Sequence, residues 1–497
     1  MLQARPLLMD DDLRRLAARL LSTAPASVEM PAGAGKTHLL AATVAAAATK
    51  GHRSLVLTHT NAGVDAIRKR LRAFGVRADS AKVETITSWA FSLVGAYPTL
   101  AGISVDETPD WSLSDQYVEG AARVVGSVAI SDVHATSFDV LLVDEYQDCT
   151  LVHHAFVLAM AEAIPKTVVF GDRLQAIFGF AGRLADWGTD VQPRFSNFDI
   201  SPEPQRWKLH NQALGEWLLQ IRPSLVAGQY FDLAQHDVPG LTLVTDNSPT
   251  SIATIAHGFS DYSETVVLLD RWPRSVAGHA SRLGGSYSVM EDISGNFMRE
   301  QINGSPPGAR VSVMSLPQPG DPTLARWLAQ FAKACVIGLG EINQPVLQRL
   351  ECNQTLKGLS RDGIQSIIEA FESLRINPTY AQLVQAARAV RESNQVKIYR
   401  WEAWNDTLSA IGLSVDNEEP VIDNFGRVRE RLRRQGRRNH ARVASRTLLV
   451  KGLEYDHVVI ANLNEFRDPR NLYVALSRAR KSVTVIGSSS RIQLRDE

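Results

Sequence analysis

The stretch SVEMPAGAGKTHLL, residues 27–40, decides the fold of this sequence. It contains a short extended segment, then a glycine-rich turn, and then Lys36 and Thr37 at the start of an apolar helix. Gly33 and Gly35 let the backbone fold tightly, so that successive N–H groups point at phosphate oxygens. Lys36 would neutralise phosphate charge, and the Thr37 hydroxyl would bind Mg²⁺. The alternative is a chance Gly-Lys-Thr in a loop, because the first glycine of the usual phosphate-loop pattern is missing.

A second stretch, VLLVDEYQD at residues 140–148, supports a nucleotide site. Its apolar run predicts a buried strand, and the strand ends at two acids, Asp144 and Glu145. Asp144 would hold Mg²⁺ directly or through water, and Glu145 is placed to orient and deprotonate an attacking water. Two acids at a strand end can also be the solvated start of a loop. Together with the upstream phosphate loop, they favour an enzyme that hydrolyses nucleoside triphosphates.

Short apolar runs rich in Val and Leu alternate with helical patterns along most of the chain, which predicts an α/β fold with buried parallel strands. Between Tyr287 and His440 helical stretches dominate instead, and we expect strand structure to return at RTLLVKG, residues 446–452. Besides the run at 140–145, the predicted strands are SLVLTHT (54–60), TVVFGD (167–172), ETVVLLDR (264–271) and HVVIANL (457–463).

The composition is that of an ordinary globular protein: 497 residues, 44% hydrophobic and 21% charged, with Lys+Arg and Asp+Glu equal at 53 each.

The stretch from Arg427 to Arg442 contains eight arginines and one acidic residue, which predicts either a phosphate-contacting surface or a solvated helix face. The three cysteines lie far apart without CxxC spacing, which argues against disulfides and structural zinc. With no signal-peptide core and no membrane span, we expect a cytoplasmic protein.

Seven strings occur in order along nearly the whole chain: AGAGKT, THTNAGVDAIRKRL, TITSWAF, DEYQD, GDRLQAIFGFAG, VKGLEYDHVV and LYVALSRARKSVTVI. Together they resemble the motifs of the UvrD/PcrA/Rep type of helicase, which is UvrD-like superfamily 1A. The resemblance implies two RecA-like parallel-sheet domains of the P-loop NTPase class. ATP would bind between these domains, and single-stranded DNA would run across both.

The family plan implies a division of the chain into two interrupted domains. The first-domain insertion is expected to be reduced, and the second domain is expected to contain a helical insertion. The segments are 1–200 for RecA-like domain 1A with a small 1B-like insertion at about 95–136, 201–286 for the first part of RecA-like domain 2A, 287–440 for the helical 2B-like insertion, and 441–497 for the second part of domain 2A.

The resemblance also implies roles around the nucleotide. Gln175 would reach the γ-phosphate and link it to DNA, and Arg478 would be the arginine finger that stabilises transition-state charge. Arg206 resembles a second catalytic arginine, and for each arginine the alternative is a surface salt bridge. The catalytic set is Lys36, Asp144, Glu145, Gln175, Arg206 and Arg478; the nucleotide-binding set is Gly33, Ala34, Gly35, Lys36, Thr37, His38 and Glu454, the last near the ribose; the metal ligands are Thr37 and Asp144.

On the DNA side, Phe178 and Phe180 match positions where the family stacks aromatic rings on bases, a contact that tolerates any sequence. The alternative is that both are core residues, because FGF follows a predicted strand. Thr60 and Asn61 resemble contacts to the DNA backbone, and Trp89 is a further DNA-binding candidate.

The cofactors implied are ATP and Mg²⁺, with other nucleoside triphosphates or their deoxy forms as alternatives. Gln205 stands where the family places an adenine-stacking tyrosine, and no clear adenine-reading glutamine precedes the phosphate loop. With both base contacts weak, we expect poor discrimination among these nucleotides.

The expected partner, besides single-stranded or tailed DNA, is a separate nuclease, because no nuclease motif occurs in the sequence. In overall plan the chain resembles the helicase-like subunit of the Gabija anti-phage defence system, which works with an OLD-family nuclease. The resemblance predicts a DNA-dependent NTPase that translocates 3′→5′ and unwinds DNA. The alternatives are a DNA-end-sensing regulatory NTPase subunit with little unwinding of its own, and an inactive family member, against which the intact motif residues argue.

Overall fold

The structure is a computed structural model, and it describes residues 10–105, 109–179, 182–228, 230–292, 294–309, 311–340, 344–360, 362–435 and 440–495. The chain forms two compact units. The first comprises the chain up to Leu241, Phe466–Ser482 and the segment from Arg491, and the second comprises Thr242–Glu465 and Val483–Ser490. No helix among the described residues is long and apolar enough to cross a lipid bilayer.

The first unit is built on a six-stranded sheet of β1 (Ala26–Glu29), β2 (Ser54–Thr58), β3 (Ala81–Thr85), β4 (Val140–Val143), β5 (Thr167–Gly171) and β6 (Ser196–Asn197). The strands are parallel in the order β3-β2-β4-β5-β1-β6. Every residue of β2, β4 and β5 is buried, as expected for strands covered on both faces. The strands predicted at 54–60, 140–145 and 167–172 are confirmed. A separate antiparallel pair joins β7 (Tyr230–Asp232) and β16 (Arg491–Gln493).

Helices cover both faces of this sheet. The helices of the two cores are α1 (Asp11–Thr23), α2 (Lys36–Thr49), α3 (Asn61–Ala73), α4 (Ile86–Ala96), α5 (Pro98–Ala101), α6 (Ser114–Val125), α7 (Val128–Ser137) and α8 (Leu151–Ala163). The first unit also contains α9 (Gln212–Gln220), α10 (Arg222–Val226) and α21 (Pro469–Leu476). Neighbouring residues of β4 face two separate cores, because strand side chains alternate between faces. Leu142 packs with residues of α1, α2 and α3, whereas Leu141 packs with residues of α4, α6 and α8.

The second unit is built on another six-stranded sheet, of β8 (Leu241–Val244), β9 (Val266–Leu269), β10 (Ser288–Val289), β13 (Arg442–Ser445), β14 (Tyr455–Ile460) and β15 (Ala479–Ile486), in the order β10-β13-β9-β14-β15-β8. The strands from β10 to β14 in this order are parallel. The strands predicted at 264–271 and 457–463 are confirmed, and so is the α/β class with two RecA-like parallel sheets.

The strand predicted at 446–452 is wrong. The strand β13 ends immediately before this run, and Thr447–Val450 form the short helix α20. A short apolar run fits one turn of buried helix as well as a strand, and periodicity cannot separate the two.

The helices of the second unit are α11 (Pro249–His257) and α12 (Pro273–Arg282) beside the sheet, and then a helical block. Within this block, Trp327 stacks on Phe331 and Phe331 stacks on Trp404, with ring centroids 5.2 and 5.4 Å apart. The block contains α13 (Asn296–Asn303), α14 (Leu324–Cys335), α15 (Gln344–Glu351), α16 (Gln365–Ile376), α17 (Tyr380–Glu392), α18 (Trp401–Asn417), α19 (Val421–Gln435) and the two-stranded pair β11 (Val336–Ile337) and β12 (Lys397–Ile398).

The compact units are drawn by contacts and do not coincide with the segments expected from the family plan, whose boundaries after 200 and before 441 stay a prediction. The first unit continues to Leu241 and takes in Phe466–Ser482. The physical reason is the fully buried Trp207, whose ring lies against Gly33 and whose Nε1 donates to the carbonyl of Ala479 at 2.7 Å. These contacts join the phosphate loop to both later segments of the chain.

Candidate nucleotide and nucleic-acid site

Three loops meet at one edge of the first sheet. The strands β4, β5 and β1 are neighbours and run parallel, so the residues that follow them lie at the same edge. The glycine-rich loop follows β1, Asp144 and Glu145 follow β4, and Asp172 follows β5. Such carboxyl edges are where open α/β sheets bind ligands.

The glycine-rich loop has the backbone of a phosphate cradle. Gly33 and Gly35 have φ angles of +70° and +94°, which side-chain-bearing residues rarely adopt. A Cβ atom on Gly33 would also lie 2.6 Å from the Trp207 ring. Within the described part of the chain, the N–H groups of Gly33, Gly35, Lys36 and Thr37 donate to no acceptor. These four donors at the start of α2 are therefore available for phosphate oxygens.

Lys36 is a buried cation held by two acids. Its Nζ lies 2.8 Å from Glu145 Oε1 and 3.6 Å from Asp144 Oδ1. Burial by itself lowers the pKa of Lys36, but the two carboxylates outweigh it and raise that pKa above its ordinary value. Burial raises the pKa of Asp144 to about 6, although the Lys36 charge opposes the shift. The lysine is thus charged, as phosphate binding requires.

Glu145 occupies a strained backbone position. Its φ angle is 56°, in the left-handed region, which costs about 1–3 kcal/mol for a residue with a side chain. Its N–H donates to Asp144 Oδ1 at 2.9 Å, and the Gln147 side chain donates to its carboxylate. The contacts with Gln147 and Lys36 hold the Glu145 carboxylate beside the phosphate loop.

Gln175 and Arg478 are in contact within the first unit. The Arg478 side chain is 1% exposed, and its Nη2 donates to Gln175 Oε1 at 3.3 Å. Gln175 in turn donates through Nε2 to Asp172 Oδ2 at 3.0 Å, and the same oxygen accepts the Ala32 N–H, also at 3.0 Å. A chain of hydrogen bonds therefore runs from the phosphate loop to Arg478. Because its side chain is buried, Arg478 is not part of a surface salt bridge.

Arg206, from the segment that precedes α9, also contacts this region. Its backbone N–H donates to the carbonyl of Gly33 at 3.0 Å, and its guanidinium donates to the carbonyl of Ser477. The first unit thus brings together the six residues predicted to be catalytic. Their catalytic roles remain predictions.

The remaining nucleotide-binding candidates lie in different surroundings. Ala34 is buried in the phosphate loop. His38 is half-buried with its ring 5.0 Å from that of Phe74, and burial together with Arg70 lowers its pKa. Glu454 belongs to the second unit, where it is exposed directly before β14.

The DNA-binding candidates fall into three groups. Thr60 and Asn61 are exposed at the start of α3, where Thr60 Oγ1 accepts the N–H of Gly63. Trp89 is half-buried, and its ring makes an edge contact with Phe138 at 6.0 Å, which gives it a packing role in the core. Phe178 is half-buried. Phe180 lies outside the described residues.

Two arginines of the arginine-rich stretch make internal contacts and are not part of an exposed charged surface; for the other arginines of the stretch a phosphate-contacting role stays a prediction. Arg429 is buried and pairs with Glu402 and Asp406, both at 2.7 Å. Arg442 is buried, and it donates to backbone carbonyls, including that of Phe259 at 2.8 Å. Sequence alone shows a charge run but not the carboxylates that other helices bring to it. The side chains at 433, 434, 437 and 438 lie outside the described residues.

An open pocket of about 370 Å³ lies in the second unit, at the carboxyl ends of β9 and β14. Arg274 and Arg282 line it from α12, and both are exposed without an ion pair in the part of the chain that the structure describes. These two arginines were not predicted from the sequence, because they do not belong to a charge run. The other lining residues are Asn247, Pro249, Ile252, Asp270, Ser275, Gly278, His279, Ala461 and Asn462.

Two further residues of the site were not predicted: Asp172, which is fully buried, and Arg222 form an ion pair with a shortest distance of 2.8 Å. An acid directly after an apolar run, the pattern that identified Asp144, would have found Asp172. Nothing in the sequence marks Arg222.

Comparison with known families gives two matches along the chain. A family model of the AAA domain matches residues 15–181, and a model of the viral superfamily 1 RNA helicase core domain matches residues 368–487. Among solved structures, the crystal structure of Pif1 helicase from Candida albicans is 11% identical, with a TM-score of 0.40 over 97% of this chain and 95% of that chain. A comparison with curated proteins finds no match. The two family models, together with the phosphate loop and its acids, support a superfamily 1 helicase.

Proposed function

We propose that this chain is a UvrD-like motor that hydrolyses nucleoside triphosphates to move 3′→5′ along single-stranded DNA and to unwind tailed duplexes. It would act with a separate nuclease, in a defence system against phage. The observation that supports the motor most directly is the hydrogen-bond chain from Ala32 through Asp172 and Gln175 to Arg478. Such a chain lets a change at the phosphate loop reach the arginine that stabilises transition-state charge.

The residues present suit hydrolysis of a terminal phosphate. The loop N–H groups and Lys36 would bind the phosphates, and Arg478 would stabilise charge that develops on the transferred group. Glu145 would take a proton from the attacking water, whose oxygen bonds to the γ-phosphorus while the bond to the β-phosphate oxygen breaks. Thr37 and Asp144 supply the oxygen ligands that Mg²⁺ prefers, and the ion would neutralise phosphate charge when bound.

Coupling to a nucleic-acid strand rests on the segment that follows β5. Gln175 ends a short helical turn, and Phe178 lies three residues further on. A base stacked on Phe178 would therefore bias the position of Gln175 and, through it, of Arg478. This arrangement explains why hydrolysis should depend on a bound strand.

The second candidate function is a DNA-end-sensing regulatory NTPase subunit with little unwinding of its own. The observation that favours it is the small size of the first-unit insertion, whose described helices are α5, α6 and α7. Accessory domains grip the duplex ahead of a motor, and a small insertion offers little surface for this purpose.

The deciding experiment measures NTP hydrolysis with and without oligo-dT, and strand displacement on 3′-tailed and 5′-tailed duplexes. We expect hydrolysis to be stimulated by DNA and displacement to occur from the 3′ tail alone. Oligo-U is included because one matched family model describes RNA helicases. Displacement from the 5′ tail would refute the proposed direction, and DNA-stimulated hydrolysis without displacement would favour the sensor subunit. Hydrolysis indifferent to every strand would refute the motor.

A separate prediction concerns the second-unit pocket. The double substitution Arg274→Ala/Arg282→Ala is expected to weaken oligo-dT binding and to reduce the slope of log affinity against log salt by about 1.4, since each lost single-strand phosphate contact contributes about 0.7. Fluorescence anisotropy across a salt series measures both. The matched control is Arg14→Ala/Arg15→Ala, which removes two exposed arginines of α1. An equal change in both variants would mean that only net charge matters.

A further inference from the structure

Arg222 forms the most extensive side-chain contact with Asp172. Its Nη2 donates to Asp172 Oδ1 at 2.8 Å, and its Nη1 donates to Oδ2 at 3.1 Å. The Arg222 side chain is 14% exposed, and that of Asp172 is fully buried. The guanidinium lies 5.0 Å from the centroid of the Tyr473 ring, on the helix that leads to Arg478. The chemistry proposed above gives this arginine no role.

Asp172 accepts five hydrogen bonds from the residues that the structure describes. Besides the two from Arg222, they come from the N–H groups of Ala32 and Leu174 and from Gln175 Nε2. An ionised carboxylate can only accept, so the group that Gln175 turns toward it must be the amide NH₂. The amide oxygen of Gln175 then points the other way, and there it accepts from Arg478 Nη2 at 3.3 Å.

We propose that Arg222 is a positioning residue for NTP hydrolysis. Through Asp172 it fixes the orientation of the Gln175 amide. The amide oxygen, rather than the amide NH₂ group, then faces the Arg478 guanidinium. This inference rests on the proposed function, in which Gln175 and Arg478 act on the γ-phosphate. If the amide turned over, its NH₂ group would face the guanidinium, and two donors would oppose each other.

The main expected consequence is a lower rate of hydrolysis. Among the described residues Arg222 has no contact with Lys36, and its link to the phosphate loop runs through Asp172, which accepts the Ala32 N–H. We therefore expect nucleotide affinity to change less than kcat. Loss of a partner that orients a reacting side chain costs about 10-fold to 100-fold in activity. We therefore expect Arg222→Gln to lower kcat by about 10-fold or more, with Arg222→Lys recovering part of the loss because it retains the charge.

The test is a double-mutant cycle of Arg222→Gln with Gln175→Ala, in which kcat and the affinity for a fluorescent ADP analogue are measured for all four proteins. If Arg222 acts through Gln175, its substitution should lower kcat less than about 2-fold in the Gln175→Ala background. The ADP affinity should change less than kcat in Arg222→Gln. Arg375→Gln is the matched control, since Arg375 forms a bidentate ion pair of similar burial with Glu372 in the helical block. That variant should keep full kcat.

Full additivity of the two substitutions, or a loss of ADP affinity in Arg222→Gln equal to the loss in kcat, would overturn the inference. The proposed function would still stand if the unmodified chain shows DNA-stimulated hydrolysis and displacement from the 3′ tail. If Arg222→Gln does not fold, the same cycle is run with Arg222→Lys, whose effect must likewise disappear without Gln175. No hydrolysis by the unmodified chain with any strand would refute both the function and the inference.

Discussion

Lys36→Ala is expected to lower kcat for NTP hydrolysis by at least about 100-fold. It should also weaken nucleotide binding, because it removes the positive charge that would bind phosphate oxygens at the loop. The side chain is 8% exposed, and its Nζ lies 2.8 Å from one carboxylate and 3.6 Å from another. Without the lysine, two neighbouring acids face the incoming phosphates. Their negative charge would then repel the nucleotide instead of being balanced.

The measurement is steady-state hydrolysis together with direct titration of a fluorescent nucleotide. Lys82→Ala serves as the control, because Lys82 is half-exposed and pairs with a single acid, Glu84, away from the loop. A thermal unfolding scan separates loss of function from loss of fold. If Lys36→Ala keeps more than about a tenth of the activity, the loop is not the hydrolytic site.

The part of the site that sequence predicted well depends on local pattern. Glycines with positive φ, a lysine at the start of a helix and acids at strand ends are each determined by a few adjacent residues. The parallel order of β4, β5 and β1 then brings these local features to one edge. For this reason the positions of Lys36, Asp144 and Glu145 could be predicted without a structure.

The parts that sequence missed depend on contacts between distant residues. Asp172 and Arg222 are 50 positions apart, and α10, which packs against α21, places the arginine at the end of β5. The burial of Arg429 on α19 could not be predicted for the same reason, since Glu402 and Asp406 on α18 pair with it. Neither a run of like charges nor a single charged residue shows in the sequence which distant residue will pair with it.

Glu145→Gln is expected to lower kcat by about 100-fold to 10,000-fold, because an amide cannot accept the proton of the attacking water. Nucleotide binding should persist, and it should even tighten. Glu145 pairs with Lys36 at 2.8 Å and must compete with a phosphate for that charge, whereas a neutral glutamine competes less. The substitution preserves the size of the side chain, so the strained backbone at φ 56° need not change.

Single-turnover hydrolysis and nucleotide titration of Glu145→Gln measure the two effects separately, and Glu162→Gln on α8 is an exposed control. The comparison with Lys36→Ala then decides what Glu145 does. If the glutamine variant binds nucleotide well and cleaves it slowly, Glu145 removes a proton. If it loses affinity as Lys36→Ala does, Glu145 serves instead to hold the lysine in place, and another group must activate the water.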